Sequence, residues 1–263
     1  MLSFTSSLSL SSDAFAIFVT EKYGYKNKKN ILPADTVKKI NSFISVLRVK
    51  KKKEDINSFD ISNRQKCFII KVKHKYENSF PQESGGAFFS YLKKFKDIQK
   101  IDLYPDSLEL DKDKLVRFFS EFIFGFNLKS YTFSKYKTLD KDKTDKKINF
   151  KIITSNKEKI EKKYRYYDSI KEGVFLTRDL VSEPPNVLTP KTYVQEIKKL
   201  SKFGLKIKVY NEKEMKKLGL NALLAVGQGS VNETYLVTLE WNGKKNPKQN
   251  PLAFVGKGVC FDT

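Results

Sequence analysis

Ala14-Phe-Ala-Ile-Phe-Val-Thr20 and Cys67-Phe-Ile-Ile-Lys-Val72 are short apolar or β-branched runs of strand length, and they constrain the fold more than any other feature of the chain. Between them, Pro33 to Leu47 places Val37, Ile40, Phe43, Ile44 and Leu47 on one face at a helical period. The pattern continues. Gly85-Gly86-Ala-Phe-Phe-Ser-Tyr-Leu92 predicts the opening of a second helix, Ile98 to Tyr104 a strand, and Lys114 to Phe126 a third helix with the stripe Leu115, Phe118, Phe119, Phe122 and Ile123. Strand and helix in alternation predict an α/β domain. The polar tract Lys135 to Lys147 reads as a surface loop before the strand Ile148 to Ile153, and a domain boundary is expected near residue 155.

Beyond that boundary, Asn156 to Leu180 reads as one long helix stopped by Pro184-Pro185, because proline cannot continue the backbone ladder. Residues 156–183 are thus expected to link the N-terminal α/β domain, 1–155, to a second domain, 184–263. Thr189-Pro190 supplies an N-cap and a first-turn proline for a helix from Lys191 to Phe203. There follow a strand at Leu205 to Tyr210, a short helix at Glu212 to Leu218, and three apolar runs read as strands: Ala222 to Val226, Tyr235 to Trp241 and Leu252 to Val255.

The chain has 263 residues, 40% of them hydrophobic with 21 Phe and 13 Tyr, enough for one large core or two ordinary ones. Its formal charge of +21 raises a polyanion as partner. Yet the cations are nearly all lysine, with arginine only at Arg48, Arg64, Arg117, Arg165 and Arg178, and base reading favours arginine. A solvated lysine-rich surface is the favoured reading, with the Lys50 to Lys53 run as an exposed loop. Cys67 and Cys260 stand far apart in apolar surroundings, the usage of a reducing cytoplasm. No apolar run reaches the 18 residues of a membrane span, so no membrane partner is expected. His74, the single histidine, stands between two lysines and supports no Ser-His-Asp or Cys-His site.

Three motifs carry chemistry: Thr177 to Pro190, Leu218-Gly-Leu-Asn-Ala-Leu-Leu-Ala-Val-Gly-Gln-Gly-Ser230, and Val255-Gly-Lys-Gly-Val-Cys-Phe-Asp-Thr263. In this order and spacing they resemble the leucyl (cytosol) aminopeptidase family of two-metal peptidases, over about residues 160 to 263. Leu220-Asn221 departs from the family's more usual Met-Gly pair.

The resemblance implies that Lys257 and Asp262 are metal ligands. A carboxylate can bridge two cations, and an amine becomes a ligand once a nearby dication drives off its proton, despite a free pKa of about 10.4. It further implies two divalent ions, manganese or zinc, about 3.5–4 Å apart and sharing an activated water. The expected substrates are peptides with a free N-terminus and an apolar, leucine-like first residue, and the expected assembly is a homo-hexamer. The remaining ligands of such an enzyme lie past Asp262, so residues 1–263 are expected to be an N-terminal fragment, inactive alone and with no complete catalytic set. The alternative is a nucleotide- or nucleic-acid-binding α/β module using the basic surface.

Overall fold

In a computed structural model of the chain, residues 2–9, 11–50, 54–73, 79–138, 148–243 and 250–261 are described. Lys51 to Lys53, His74 and residues 139–147 of the predicted surface loop lie outside them. The chain divides into two compact units, Met1–Leu176 and Thr177–Thr263.

The first unit is built on a six-stranded sheet of order β1-β6-β5-β2-β4-β3. Its strands are β1 (Phe4–Thr5), β2 (Ala14–Thr20), β3 (Ile56–Ser62), β4 (Gln65–Val72), β5 (Lys100–Tyr104) and β6 (Asn149–Ile153). Every pairing is parallel except the β3–β4 hairpin. β2 lies at the centre, and its apolar run divides between two cores: Ala14, Ala16 and Phe18 face one side, and Phe15, Ile17 and Val19 the other. A strand covered on both faces needs continuous rather than alternating hydrophobicity, and that is what this sequence carries.

Helix α1 (Ala34–Val49) covers one face through Ile40, Ile44 and Leu47. The opposite face receives α2 (Phe80–Leu92), α3 (Lys112–Ser130) and the N-terminal part of α4 (Lys157–Ser182), where Ile160 and Tyr164 are buried. The ring of Phe18 meets Phe118, Phe119 and Phe122 edge-on, with centroids 6.1, 5.6 and 5.1 Å away. Such T-shaped pairs add about 0.5–1.5 kcal/mol each beyond area burial.

β5 stops at Tyr104 because Pro105 has no N–H to offer, yet β2 runs on to Thr20. Ser107 supplies the missing rung. Its hydroxyl accepts from the Phe18 N–H at 2.8 Å and lies 2.6 and 3.1 Å from the carbonyl oxygens of Tyr104 and Phe18, to which it donates. Next to it, buried Asp106 accepts from the Thr154 hydroxyl at 2.6 Å and from the Ser155 N–H and hydroxyl at 2.8 and 2.7 Å. The end of β6 and the start of α4 are fixed by that carboxyl group.

Two elements differ from expectation in this unit. β3 was not foreseen, because Ile56-Asn-Ser-Phe-Asp-Ile-Ser62 is half polar; as an edge strand it needs only one apolar face. Helix α2 begins at Phe80 rather than at Gly85, with Pro81 in its first turn, so the two glycines are interior. Gly85 is there because α3 comes too close for a side chain: a Cβ would lie 1.9 Å from the Phe122 carbonyl oxygen, and one on Gly125 would lie 1.9 Å from that of Gln82. Gly86 is different, its Cβ position meeting only Lys129 Cβ at 3.6 Å and other atoms farther off.

In the second unit, Thr189 and Pro190 start α5 (Pro190–Lys198) as expected, with the Thr189 hydroxyl accepting from the Thr192 N–H at 3.3 Å. The helix tightens into a 3₁₀ turn, Lys199–Phe203, and ends at Gly204, whose φ of 86° favours glycine. β7 (Lys206–Tyr210) pairs antiparallel with β8 (Leu236–Glu240), and α6 (Glu212–Lys217) opens with a capping box between Asn211 and Glu214.

Two strand expectations fail here. Asn221–Gly227 is a helix, α7, not a strand. A short apolar run does not declare its period, and Ala222-Leu-Leu-Ala225 consists of the strongest helix formers. Residues 250–261 form no regular structure, and Leu252, Phe254 and Val255 are exposed by 81%, 88% and 99%. Apolar composition alone makes no strand where no neighbouring strand pairs with its backbone.

The adjacent glycines Gly85 and Gly86 should respond oppositely to alanine. Gly85→Ala is expected to lower the unfolding free energy in urea by about 3 kcal/mol or to abolish folding, whereas Gly86→Ala should be neutral or raise stability by about 0.5–1 kcal/mol. Equal effects of the two substitutions on the urea midpoint would contradict the close approach of α2 and α3.

Candidate functional site

Both metal-ligand expectations fall in the second unit. Lys257 stands in the irregular segment 250–261, exposed and, among the described residues, without an ion-pair partner. Asp262 lies outside the described residues. Gly256 has open space around it, but Gly258 abuts an aromatic ring: a Cβ there would lie 2.9 Å from Tyr193 Cε1 on α5. The glycine after Lys257 therefore lets this backbone pass close to α5.

The middle motif is held in the same way. A Cβ on Gly227, the last residue of α7, would lie 1.8 Å from the Thr234 hydroxyl oxygen, so the chain that leads into β8 crosses directly over the helix end. The Thr234 N–H donates to Glu212 on α6 at 2.9 Å. The first motif forms the end of α4 and the turn at Pro184, where the N–H groups of Val187 and Leu188 both donate to the Pro184 carbonyl.

These residues do not by themselves make a metal pocket. Among the described residues, no three or more His, Cys, Asp or Glu side chains converge in a way that could hold an ion. Lys257 is the one described donor that the family resemblance nominates, and among the described residues it pairs with no carboxylate.

The first unit holds a feature that motif reading did not pick out. A cavity of 540 Å³ lies at the start of β5 and β6, and Asp102 lines it. An acid at the centre of the apolar strand Lys100-Ile-Asp-Leu-Tyr104 was the available signal.

The α/β fold is shared with solved structures that are no more than 18% identical to this chain. A mutant of tomato leucine aminopeptidase superposes with a TM-score of 0.68 over 91% of this chain and 50% of that chain, at 18% identity. The bottromycin maturation enzyme BotP in complex with Mn aligns with a TM-score of 0.59 over 88% of this chain and 46% of that one, at 16% identity. Sequence carries the relation further. Residues 175–263 match the catalytic domain of the cytosol aminopeptidase family. A probable cytosol aminopeptidase of Phytoplasma mali (strain AT) is 40% identical over 185 residues, 69% of this chain and 36% of the relative, and one of Agrobacterium fabrum is 41% identical over 172 residues, 64% and 34%. The C-terminal segment of the chain, from residue 175 onward, belongs to the cytosol aminopeptidase family. The chain spans about a third of the length of the curated relatives it matches.

The thiols test the description of both units. Cys67 is fully buried on β4, and burial pushes its pKa well up; Cys260 is partly exposed, and partial burial raises its pKa from the ordinary value. Since the thiolate is the reactive form, labelling of native protein with a thiol reagent should modify Cys260 alone, more slowly than a free cysteine at pH 8 and faster as pH rises. Cys67 should react only after denaturation. Rapid labelling of two thiols in native protein would overturn this assignment.

Proposed function

We propose that the protein is a metal-dependent leucyl aminopeptidase, or the N-terminal portion of one, with Lys257 and Asp262 as two of its metal ligands. The observation that carries this reading is the Gly256-Lys257-Gly258 motif followed by Phe261-Asp262 inside a segment that matches the family's catalytic domain. Substrates would be peptides with a free N-terminus and an apolar first residue. Two divalent ions, manganese or zinc, would supply an activated water and polarise the scissile carbonyl.

For the chain's own residues the reading has definite content. Gly258, which already allows backbone to pass against Tyr193, would let the segment turn so that the Lys257 amine reaches an ion. The Asp262 carboxylate would bridge. Exposed Leu252, Phe254 and Val255 would be covered by further structure of the complete catalytic domain. A homo-hexamer in the cytoplasm is the assembly this reading carries with it; no helix among the described residues is long and apolar enough to cross a membrane.

A chimera tests the proposal directly. Residues 175–263 replace the matching segment of the Phytoplasma mali relative, and release of leucine from leucine amide is measured with manganese or zinc. The chimera should be active, and Lys257→Ala or Asp262→Asn should each lower kcat/KM at least about 100-fold. Full activity in either variant would defeat the ligand assignment. The polypeptide 1–263 alone should release no leucine under the same conditions.

A further inference from the structure

Helix α4 changes its attachment part-way along its 26 residues. Up to Lys171 it is fastened to the first unit. Lys159 pairs with Asp113 at 2.9 Å, the Tyr164 hydroxyl accepts from the Asn127 amide at 2.6 Å, and the Tyr167 hydroxyl donates to buried Glu121 at 2.8 Å. Ile160 and Tyr164 are buried, and the Tyr167 ring lies 5.3 Å from that of Phe124. Ile160, Tyr164 and Tyr167 recur every three or four residues, so they form one stripe of the helix. Beyond Lys171 the attachment thins. Val174, Phe175 and Leu176 are half-buried, with the Phe175 ring 5.1 Å from that of Tyr131, whereas Thr177, Arg178, Asp179 and Val181 are exposed. The division of the chain into two compact units falls inside this helix, between Leu176 and Thr177.

Gly173 stands where the attachment changes, exposed and in the helix interior. Glycine at such a position is about fivefold less favourable than alanine, because opening the helix returns more backbone freedom to it. The glycines inside α2 and α3 have a reason or a support that Gly173 lacks. Gly85 and Gly125 admit the backbone of a neighbouring helix, and Gly86 lies between buried Gly85 and Phe88. Around Gly173, no atom outside its own helix backbone and adjoining residues lies within 4 Å of where a Cβ would stand, and its φ is not in the left-handed region. Neither close packing nor backbone geometry requires glycine there.

We propose that Gly173 is a hinge at which α4 bends, so that the helix from Val174 onward changes direction while residues up to Lys171 stay fixed to α3. The bend opens the helical hydrogen bonds that span the glycine, from the N–H groups of Val174 to Thr177 to the carbonyl oxygens of Ile170 to Gly173. Water takes up those groups on the exposed side. The chain beyond α4, which carries the segment matching the cytosol aminopeptidases, turns with the second arm of the helix. The inference rests on α4 alone and does not depend on the peptidase reading.

Hydrogen exchange of the 1–263 polypeptide tests the hinge. The amides of Val174 to Thr177 should be at least about 10-fold less protected than those of Lys163 to Tyr167. Gly173→Ala, a substitution with open space around it, should slow exchange at Val174 to Thr177 about fivefold and leave Lys163 to Tyr167 unchanged. Spin labels on Lys162→Cys and Val181→Cys, with Cys260→Ser, report the bend itself, because a straight helix holds those two backbone positions about 28 Å apart. A broad distance distribution reaching below that value is expected, and Gly173→Ala should narrow it to one peak. Equal protection on the two sides of Gly173, exchange unaffected by Gly173→Ala, or one narrow distance with either residue would each overturn the proposal and make α4 a rigid rod. Faster exchange in Gly173→Ala would also overturn it, by showing that close packing requires the glycine.

Discussion

Strand β2 has both faces buried and both edges paired, and most of the first unit follows from that condition. A buried backbone must satisfy every N–H and C=O, so β4 takes one edge along all seven residues while β5 takes the other for the first four. Where β5 turns away at Pro105, the Ser107 hydroxyl completes the ladder at Phe18. The neighbouring Asp106 carboxyl then holds the end of β6 and the first residues before α4. A few polar groups at one end of the sheet thus keep four elements in register, and the large apolar side chains pack on the frame they define.

The second constraint is the distance between α2 and α3. Phe88, Phe89, Phe122 and Phe126 can share one core because Gly85 and Gly125 remove the side chains that would separate the two helix backbones. The aromatic payload of the chain is large, and rings pack at 5–6 Å only when the backbones behind them can approach. The second unit has no comparable core. Val194 and Met215 are its buried apolar residues among those described, and Phe254 and Val255 stand in water. The segment that carries the family's motif is therefore sparsely packed: among its described residues Leu252, Phe254 and Val255 are almost fully exposed.

The candidate site was legible in the sequence to the extent that it rests on covalent order. Lys257 and Asp262 were nominated by the family resemblance of Gly256-Lys257-Gly258 and Phe261-Asp262, and the matches over 175–263 support that resemblance rather than the ligand roles. What spacing could not supply was the local structure around them: α7 where a strand was expected, and irregular chain at 252–255. Both misreadings concern short apolar runs, whose burial depends on partners that no local pattern names. The cavity at Asp102 escaped motif reading for the opposite reason. Lys100, Asp102, Lys151 and Lys171 come from two strands and a helix, and nothing in their sequence spacing relates them.

The sequence by itself determined the α/β class, the position of each central strand and most helices, and the resemblance of its last hundred residues to a peptidase. Periodicity and motif order are local properties, written along the chain. The tertiary structure alone decided which face each strand presents, why Gly85 is needed and Gly86 is not, and which charges are paired. Those are questions of distance between residues far apart in sequence. The two adjacent glycines show the division most clearly: identical in type and secondary structure, they differ because a carbonyl oxygen of another helix lies 1.9 Å from where one of them would carry a methyl group.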